Sequence, residues 1–475
     1  MRRSLTLLGA AALAAVTLSA CSSASPSAVS SGSGNAVSSG TTTLQFWVRS
    51  DIETIAKQLV SAFNSTHSTI KVDLTVTPDT YEVEKLGTAI ASGNAPDVVA
   101  LNDIDVPQFA TEDQLLDITS QAHALSFYKD LSPGQLSLGT YQGKLYGVPF
   151  DADLSILDYN KTLFQKAGLN PNDPPTTWPQ IINDAKKITA LGNGDYGFDF
   201  QGDCSGCFTF TGLPFIWAAG GSMMPPNGTH ATLTSAGVTA ALNLYKTLWD
   251  DKVTPPSDQG ATGATWGAAF QAGKIGIEPF DAGLGLAAQK AGVDVGITPI
   301  PGPNGGESTF SGGDDMVILA NTPHAAAAWT FTQWALGIGA QTIIAENGYS
   351  PVRSDMVTAA FKAKYPLIAA SLATLPYGND PVSAKIESLT APSSPWIDMW
   401  ETAIFRGNVS GAEQTAEAAF NSTLGGLPDE LRWARASPRH GPPGLASPIH
   451  QQVRKVYAGD KAGCARVRRS ADPSR

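Results

Sequence analysis

Among the closely spaced carboxylates of the chain, Asp103 with Asp105, Asp151 with Asp153, and Asp314 with Asp315 could each be offered as a working pair. Two carboxyls are the core apparatus of glycoside hydrolysis, one kept protonated as the acid and the other ionised as base or nucleophile. Acids this near in sequence more often meet solvent or cap helices, and their spacing does not make one an acid and its neighbour a base. A carbohydrate-processing, glycosidase-like enzyme therefore stands as the rival reading, without positive support. The chain has no Gly-x-Ser-x-Gly elbow, His-Glu-x-x-His helix or Walker loop, and its six histidines are scattered. Nothing in the pattern calls for a cofactor or a metal.

Cys204-Ser205-Gly206-Cys207 is a second constellation with chemistry in it. In an oxidising compartment the pair reads as a small disulfide pinning a loop. No thioredoxin-like strand-helix-strand pattern surrounds it, and zinc would need a second pair of ligands. Trp396 and Trp400, four apart on a predicted helix, share a face. That face is either a stacking platform or a packing surface.

The two ends place this chemistry outside the cytoplasm. Arg2 and Arg3, a short apolar run over 5–18 and small residues before Cys21 follow the export pattern, and the run is too short to span a bilayer. Leu18-Ser19-Ala20-Cys21 resembles a lipobox, which implies acylation of Cys21; ordinary secretory cleavage is the alternative. Residues 22–43 carry no charge and no aromatic ring and read as a flexible tether. Residues 425–475 hold ten Lys and Arg against four Asp and Glu, in a chain whose formal net charge is -11. That basic tail is open to three readings: a disordered arm, a contact with anionic lipid, or an extension read out of frame. The acidic body speaks against nucleic acid as a partner.

Between tether and tail, roughly 380 residues are more than one core usually serves, which predicts two lobes. Residues 43–48 read as a buried strand. Ile52, Ile55, Ala56, Leu59, Val60 and Phe63 recur at helical spacing, stopped by Asn64-Ser65-Thr66. A strand over 70–76, a helix over 81–92 and a strand over 97–101 follow. This alternation predicts an α/β fold with a parallel sheet, whose ligands meet the carboxyl ends of the strands. Gly143 and Gly147 bracket a predicted hairpin and strand, which Pro149 is expected to break as a hinge.

Several segments then carry a resemblance. Ala91-Ser92-Gly93-Asn94-Ala95-Pro96-Asp97-Val98-Val99, Tyr141-Gln142-Gly143-Lys144-Leu145-Tyr146-Gly147-Val148-Pro149-Phe150, Tyr159-Asn160-Lys161, Thr177-Trp178, Ala219-Gly220-Gly221, Gly312-Gly313 and Gly348-Tyr349-Ser350-Pro351 succeed one another in order. Over about residues 44–424 the chain resembles the extracellular solute-binding proteins of family 1, the carbohydrate-binding group of ABC importers.

That resemblance implies a two-lobe, periplasmic-binding-protein-like fold of type II with the ligand cleft between lobes. Residues 44–150 and 312–350 would form the first lobe, and 151–311 with 351–424 the second. The implied partners are a sugar, a membrane permease and, through the lipid anchor, the membrane itself, with the protein acting as a monomer. Sugars call for carboxylates or amides to grip hydroxyls and for flat aromatic faces to stack on. The positions the family uses hold Trp47, Arg49 and Asp51; Asn102 and Asp103; Asp153; Phe210; Phe280 and Asp281; Gly313 and Asp314; and, at the rim, Tyr349 and Arg353. Trp47 stays open between core and cleft, as does the Trp396 and Trp400 pair. Phe280 is expected to stack on the ligand, with Asp281 its polar neighbour.

Overall fold

A computed structural model describes residues 40–78, 82–225, 228–381, 383 and 385–425. The export segment, Cys21, the tether up to residue 39 and the tail from 426 lie outside the described residues. Strands β1 (Thr42–Arg49), β2 (Ile70–Thr77) and β3 (Val98–Asn102) come first, then the hairpin β4 (Thr140–Tyr141) and β5 (Lys144–Leu145). Next are β6 (Gly147–Leu154), β7 (Ile156–Asn160), β8 (Tyr196–Phe198), β9 (Ile275–Phe280) and β10 (Val295–Thr298). Short β11 (Ile300–Pro301), long β12 (Glu307–Ile318) and β13 (Gly378–Asn379) complete the set.

The first sheet runs β11-β12-β3-β1-β2, with β6 and β13 also pairing to β12. As the alternation predicts, β1 lies parallel to both β2 and β3. In β1, Leu44, Phe46 and Val48 are fully buried on one face, and the helix Glu53–Thr66 seats Ile55, Ala56, Leu59 and Phe63 in the same core. The period-two alternation of a strand turns Trp47 to the opposite face.

A second sheet, ordered β10-β7-β9-β8, has its own core around Phe198, Phe208, Phe215, Tyr245, Ile277 and Trp400. Residues 351–375, expected with the second lobe, bridge instead. Val352, Met356 and Phe361 pack with the first core, whereas Leu367 joins the cluster of Phe270, Ile275 and Val295 beneath the second sheet.

Two strands connect the sheets. β6 and β12 run antiparallel from Val317 opposite Gly147 to Ser311 opposite Leu154. The hairpin before β6 turns through Gln142 and Gly143, both at positive φ (49° and 77°), the left-handed pair that tight hairpins favour. Pro149 does not break the strand. The register slips between Asp314 and Asp315, so that Asp315 faces Pro149 and Asp314 faces Asp151. The extra residue is a bulge, the place within a sheet where a residue lacking an N–H is tolerated.

Candidate functional site

A cleft of about 510 Å³ opens where the ends of β1 and β6 from the first sheet meet the end of β9 from the second. Asp51, Asp153, Phe280, Asp281 and Tyr349 line it, as expected from their positions. Trp266, Gln271, Asn347 and Ser350 also line it, and these were not singled out for the cleft. One wall is aromatic: the Trp266 and Phe280 rings meet edge to face at 4.3 Å. Phe210, in the turn after the cysteine pair, backs this wall, 6.4 Å from Phe280 and 5.6 Å from Phe310. Cys204 and Cys207 are joined in a disulfide, with Cα atoms 5.2 Å apart.

The rest of the lining includes polar groups. Asp281 caps the helix Ala282–Lys290 by accepting from the Leu284 N–H at 2.8 Å. Asp51 accepts from the Ile52 N–H (2.8 Å) rather than capping the first helix, and the Tyr349 hydroxyl donates to its carbonyl at 3.2 Å. Asp153 makes no side-chain hydrogen bond or ion pair with any described residue. Burial, then the neighbouring charge of Asp281, raises its pKa to about 6, while Arg49 acts in the other direction.

Behind these groups Arg49 gathers three carboxyls from distant parts of the chain. Its Nε and Nη2 donate to Asp314 Oδ1 at 3.0 and 2.6 Å, Nη1 lies 3.1 Å from Asp51 Oδ2, and Nε lies 3.8 Å from Glu82 Oε2. Burial lifts Asp314 to about 7 despite the arginine. Glu82 rises to about 9, from burial first and then Asp314.

These raised values have a consequence for stability. A carboxyl whose folded pKa exceeds its unfolded one binds protons more tightly when folded. Its contribution is therefore complete below about pH 4 and is lost as pH climbs through the folded value. Asp153, Asp314 and Glu82 act in the same direction, across windows that end near 6, 7 and 9. The thermal midpoint of the ligand-free protein is expected to fall by about 5 °C between pH 5 and pH 8. Scanning calorimetry checks this, and a midpoint that rises over that interval contradicts it.

Other expected site residues lie elsewhere. Trp396 and Trp400 are fully buried in the second core. Trp400 stacks on Phe208 at 4.4 Å and meets Tyr245 at 5.2 Å. No face is left for a ligand, so of the two readings packing is the one the structure supports. Arg353 is also buried: it forks onto Asp355 (2.9 and 2.6 Å), donates to the Leu336 carbonyl and lies 3.6 Å over the Phe127 ring. It is a structural tie, not a rim residue. Trp47 lies in a different hollow on the first sheet, with the Lys85 amine 5.2 Å from its ring. Asn102 turns its side chain to the Ile104 N–H, and Asp103, 1% exposed, sits among Asp380, Asp315 and Asp314. Gly313 belongs to the crossing strand rather than to the cleft lining.

The fold has many counterparts among solved structures. A family model described as bacterial extracellular solute-binding protein matches residues 58–370. The chain belongs to this family. Among curated relatives, a Brucella abortus protein named only as a binding protein is 27% identical over 67% of this chain and 78% of its own length. The diacetylchitobiose binding protein DasA of Streptomyces coelicolor is 24% identical over 72% of this chain and 80% of its own. The sugar-binding protein MalE of Xanthomonas citri superposes with a TM-score of 0.73 at 23% identity, covering 81% of this chain and 98% of that one. This solute-binding protein thus has the two-lobed, type II periplasmic-binding-protein fold. No helix among the described residues is long and apolar enough to cross a membrane.

Proposed function

We propose that this solute-binding protein is the exported capture component of an ABC importer, anchored through an acylated Cys21. It takes a saccharide between its lobes as a monomer and delivers it to a membrane permease without altering it. The observation that carries the reading is the cleft itself: an aromatic pair, Trp266 and Phe280, shares the lining with carboxyls and amides at the junction of two sheets. A sugar's weakly apolar ring face suits the first and its hydroxyls suit the second. The names of the Streptomyces and Xanthomonas relatives point to the same ligand class.

The β6 and β12 pair is the natural hinge, since ligand contacts made to both sheets favour the closed arrangement. On this reading the first lobe is built on the β1 sheet, and the second on the β9 sheet together with the helices Pro395–Phe405 and Val409–Gly425. Thermal unfolding of the mature protein across a panel of mono-, di- and oligosaccharides tests the proposal. A true ligand at 100 times its Kd stabilises by about 2.7 kcal/mol. Hydrolysis products after prolonged incubation would contradict capture and favour the glycosidase-like alternative.

A further inference from the structure

The charge pattern of the cleft says more about the solute than its aromatic wall does. Asp51, Asp153 and Asp281 line the cleft, and no Lys, Arg or His is among the lining residues. The nearest guanidinium, Arg49, is already committed to Asp314, Asp51 and Glu82. Even so, Asp314, wholly buried, keeps its Oδ2 without a partner, and its charge is among those felt by Asp151. Asp153 makes no pairing at all with a described residue, and the carboxyl that weighs most on it is Asp281. Asp281 Oδ1 caps its helix at the Leu284 N–H, and the Gly283 and Asp281 N–H groups also bear on this carboxyl.

A neutral sugar answers this pattern poorly. Its hydroxyls can donate to the carboxylates, yet the excess negative charge stays enclosed once the cleft closes, and an enclosed unpaired carboxylate is costly. An anionic solute, such as a phosphate ester, would find no cationic partner on the lining. A protonated amine satisfies both the carboxyls and the rings: ammonium-to-carboxylate bonds are the stronger, charge-assisted kind, and the face of an indole or phenyl ring also attracts cations. Asp281 follows Phe280 directly in the chain, and the Phe280 ring meets that of Trp266.

We propose that the cleft selects solutes carrying a protonated amine, as an unacetylated amino sugar does, with the ammonium held by Asp153 and Asp281 against the Trp266 and Phe280 rings. This rests on the reading of the cleft as the solute site, and the test separates the two. Isothermal titration of the full mature protein at pH 7 compares the β-1,4-linked glucosamine disaccharide with its N,N'-diacetyl form and with cellobiose, which share one skeleton. The amine form is expected to bind at least tenfold more tightly than either.

In Asp153→Asn that preference is expected to shrink to twofold or less while the far-ultraviolet spectrum stays unchanged. Asp281→Asn, which keeps a residue able to cap its helix, should reduce it as well and guards against a folding defect in the first variant. Tighter or equal binding of the diacetyl form or cellobiose overturns amine selection but leaves saccharide capture standing. Absence of binding by all three at millimolar concentration, together with a wholly negative saccharide panel, overturns both. A preference that persists in both variants overturns the assignment to these two carboxyls.

Discussion

Replacing Arg49 by methionine should cost about 3–5 kcal/mol of stability at pH 8, the range for removing one partner of a buried ion pair. The side chain ties the end of β1 to the crossing strand at Asp314 and to the helix Glu82–Ala91 through Glu82. Without it, Asp314 loses its hydrogen bonds at Oδ1, while Oδ2 has none already. The loss should be smaller at pH 5. Asp314 stands near 7 even beside the arginine, and without that cation it would hold its proton more firmly, so little charge would remain buried at the lower pH. Arg49→Lys keeps the charge but not the forked geometry, and should fall between the two. Denaturant unfolding of the three proteins at both pH values checks this. A loss under about 1 kcal/mol at pH 8 would mean that the cluster behaves like a solvated surface pair.

Gly313→Ala should be comparably severe. Gly313 stands at φ +137°, and a Cβ there would lie 2.2 Å from the Asp151 carbonyl oxygen and 3.1 Å from Gln135 Nε2. The Gln135 amide donates to that carbonyl at 2.9 Å, so the methyl group would wedge between β6 and the helix Pro133–Leu138 that carries Gln135. Overpacking in a well-filled site costs roughly 1–3 kcal/mol, and the backbone conformation adds about 1–2 kcal/mol for a residue with a side chain. Gly87→Ala is the control. It lies within the helix Glu82–Ala91 with nothing within 4 Å of its added Cβ, so helix propensity alone should leave that variant about 0.8–1 kcal/mol more stable. If Gly313→Ala unfolds like the parent protein, the backbone at this crossing has room for a side chain and the close approach to Asp151 is not a packing constraint.

The local order of the first lobe was readable because short-range signals determine it. The period-3.6 row from Ile52 to Phe63 and the β-branched run of β2 each point to one structure, and β1, β2 and β3 appear within a residue or two of their expected limits. The antiparallel strands were not readable. β12 pairs with β3 and β6 across gaps of more than 150 residues, and no window of sequence contains such a pairing.

The same division holds for the cleft. Asp153, Phe280, Asp281 and Tyr349 fall at landmark positions and reach its lining. The spacing of Trp396 and Trp400 shows only that they share a helix face; that this face meets Phe208 and Tyr245 is a tertiary fact. Trp266, for which the sequence slightly favours a core position, is the mirror-image case. It stands one helical turn before buried Phe270, which suggested core, but Gly267 at φ +80° begins the helix after it and leaves the indole at the cleft. Arg49 with Glu82 and Asp314 was visible as single charges, never as a cluster, because 33 and 265 residues separate the partners.

The central claim, reversible capture of a solute in this cleft, is tested most directly by titrating the best ligand of the saccharide panel against the parent protein and Phe280→Ala. One site per chain is expected, with ligand recovered unchanged and affinity at least tenfold weaker in the variant, since a stacking face worth about 1.4 kcal/mol or more is removed. Equal affinity in the two proteins, with both folded, would place the solute somewhere other than this cleft.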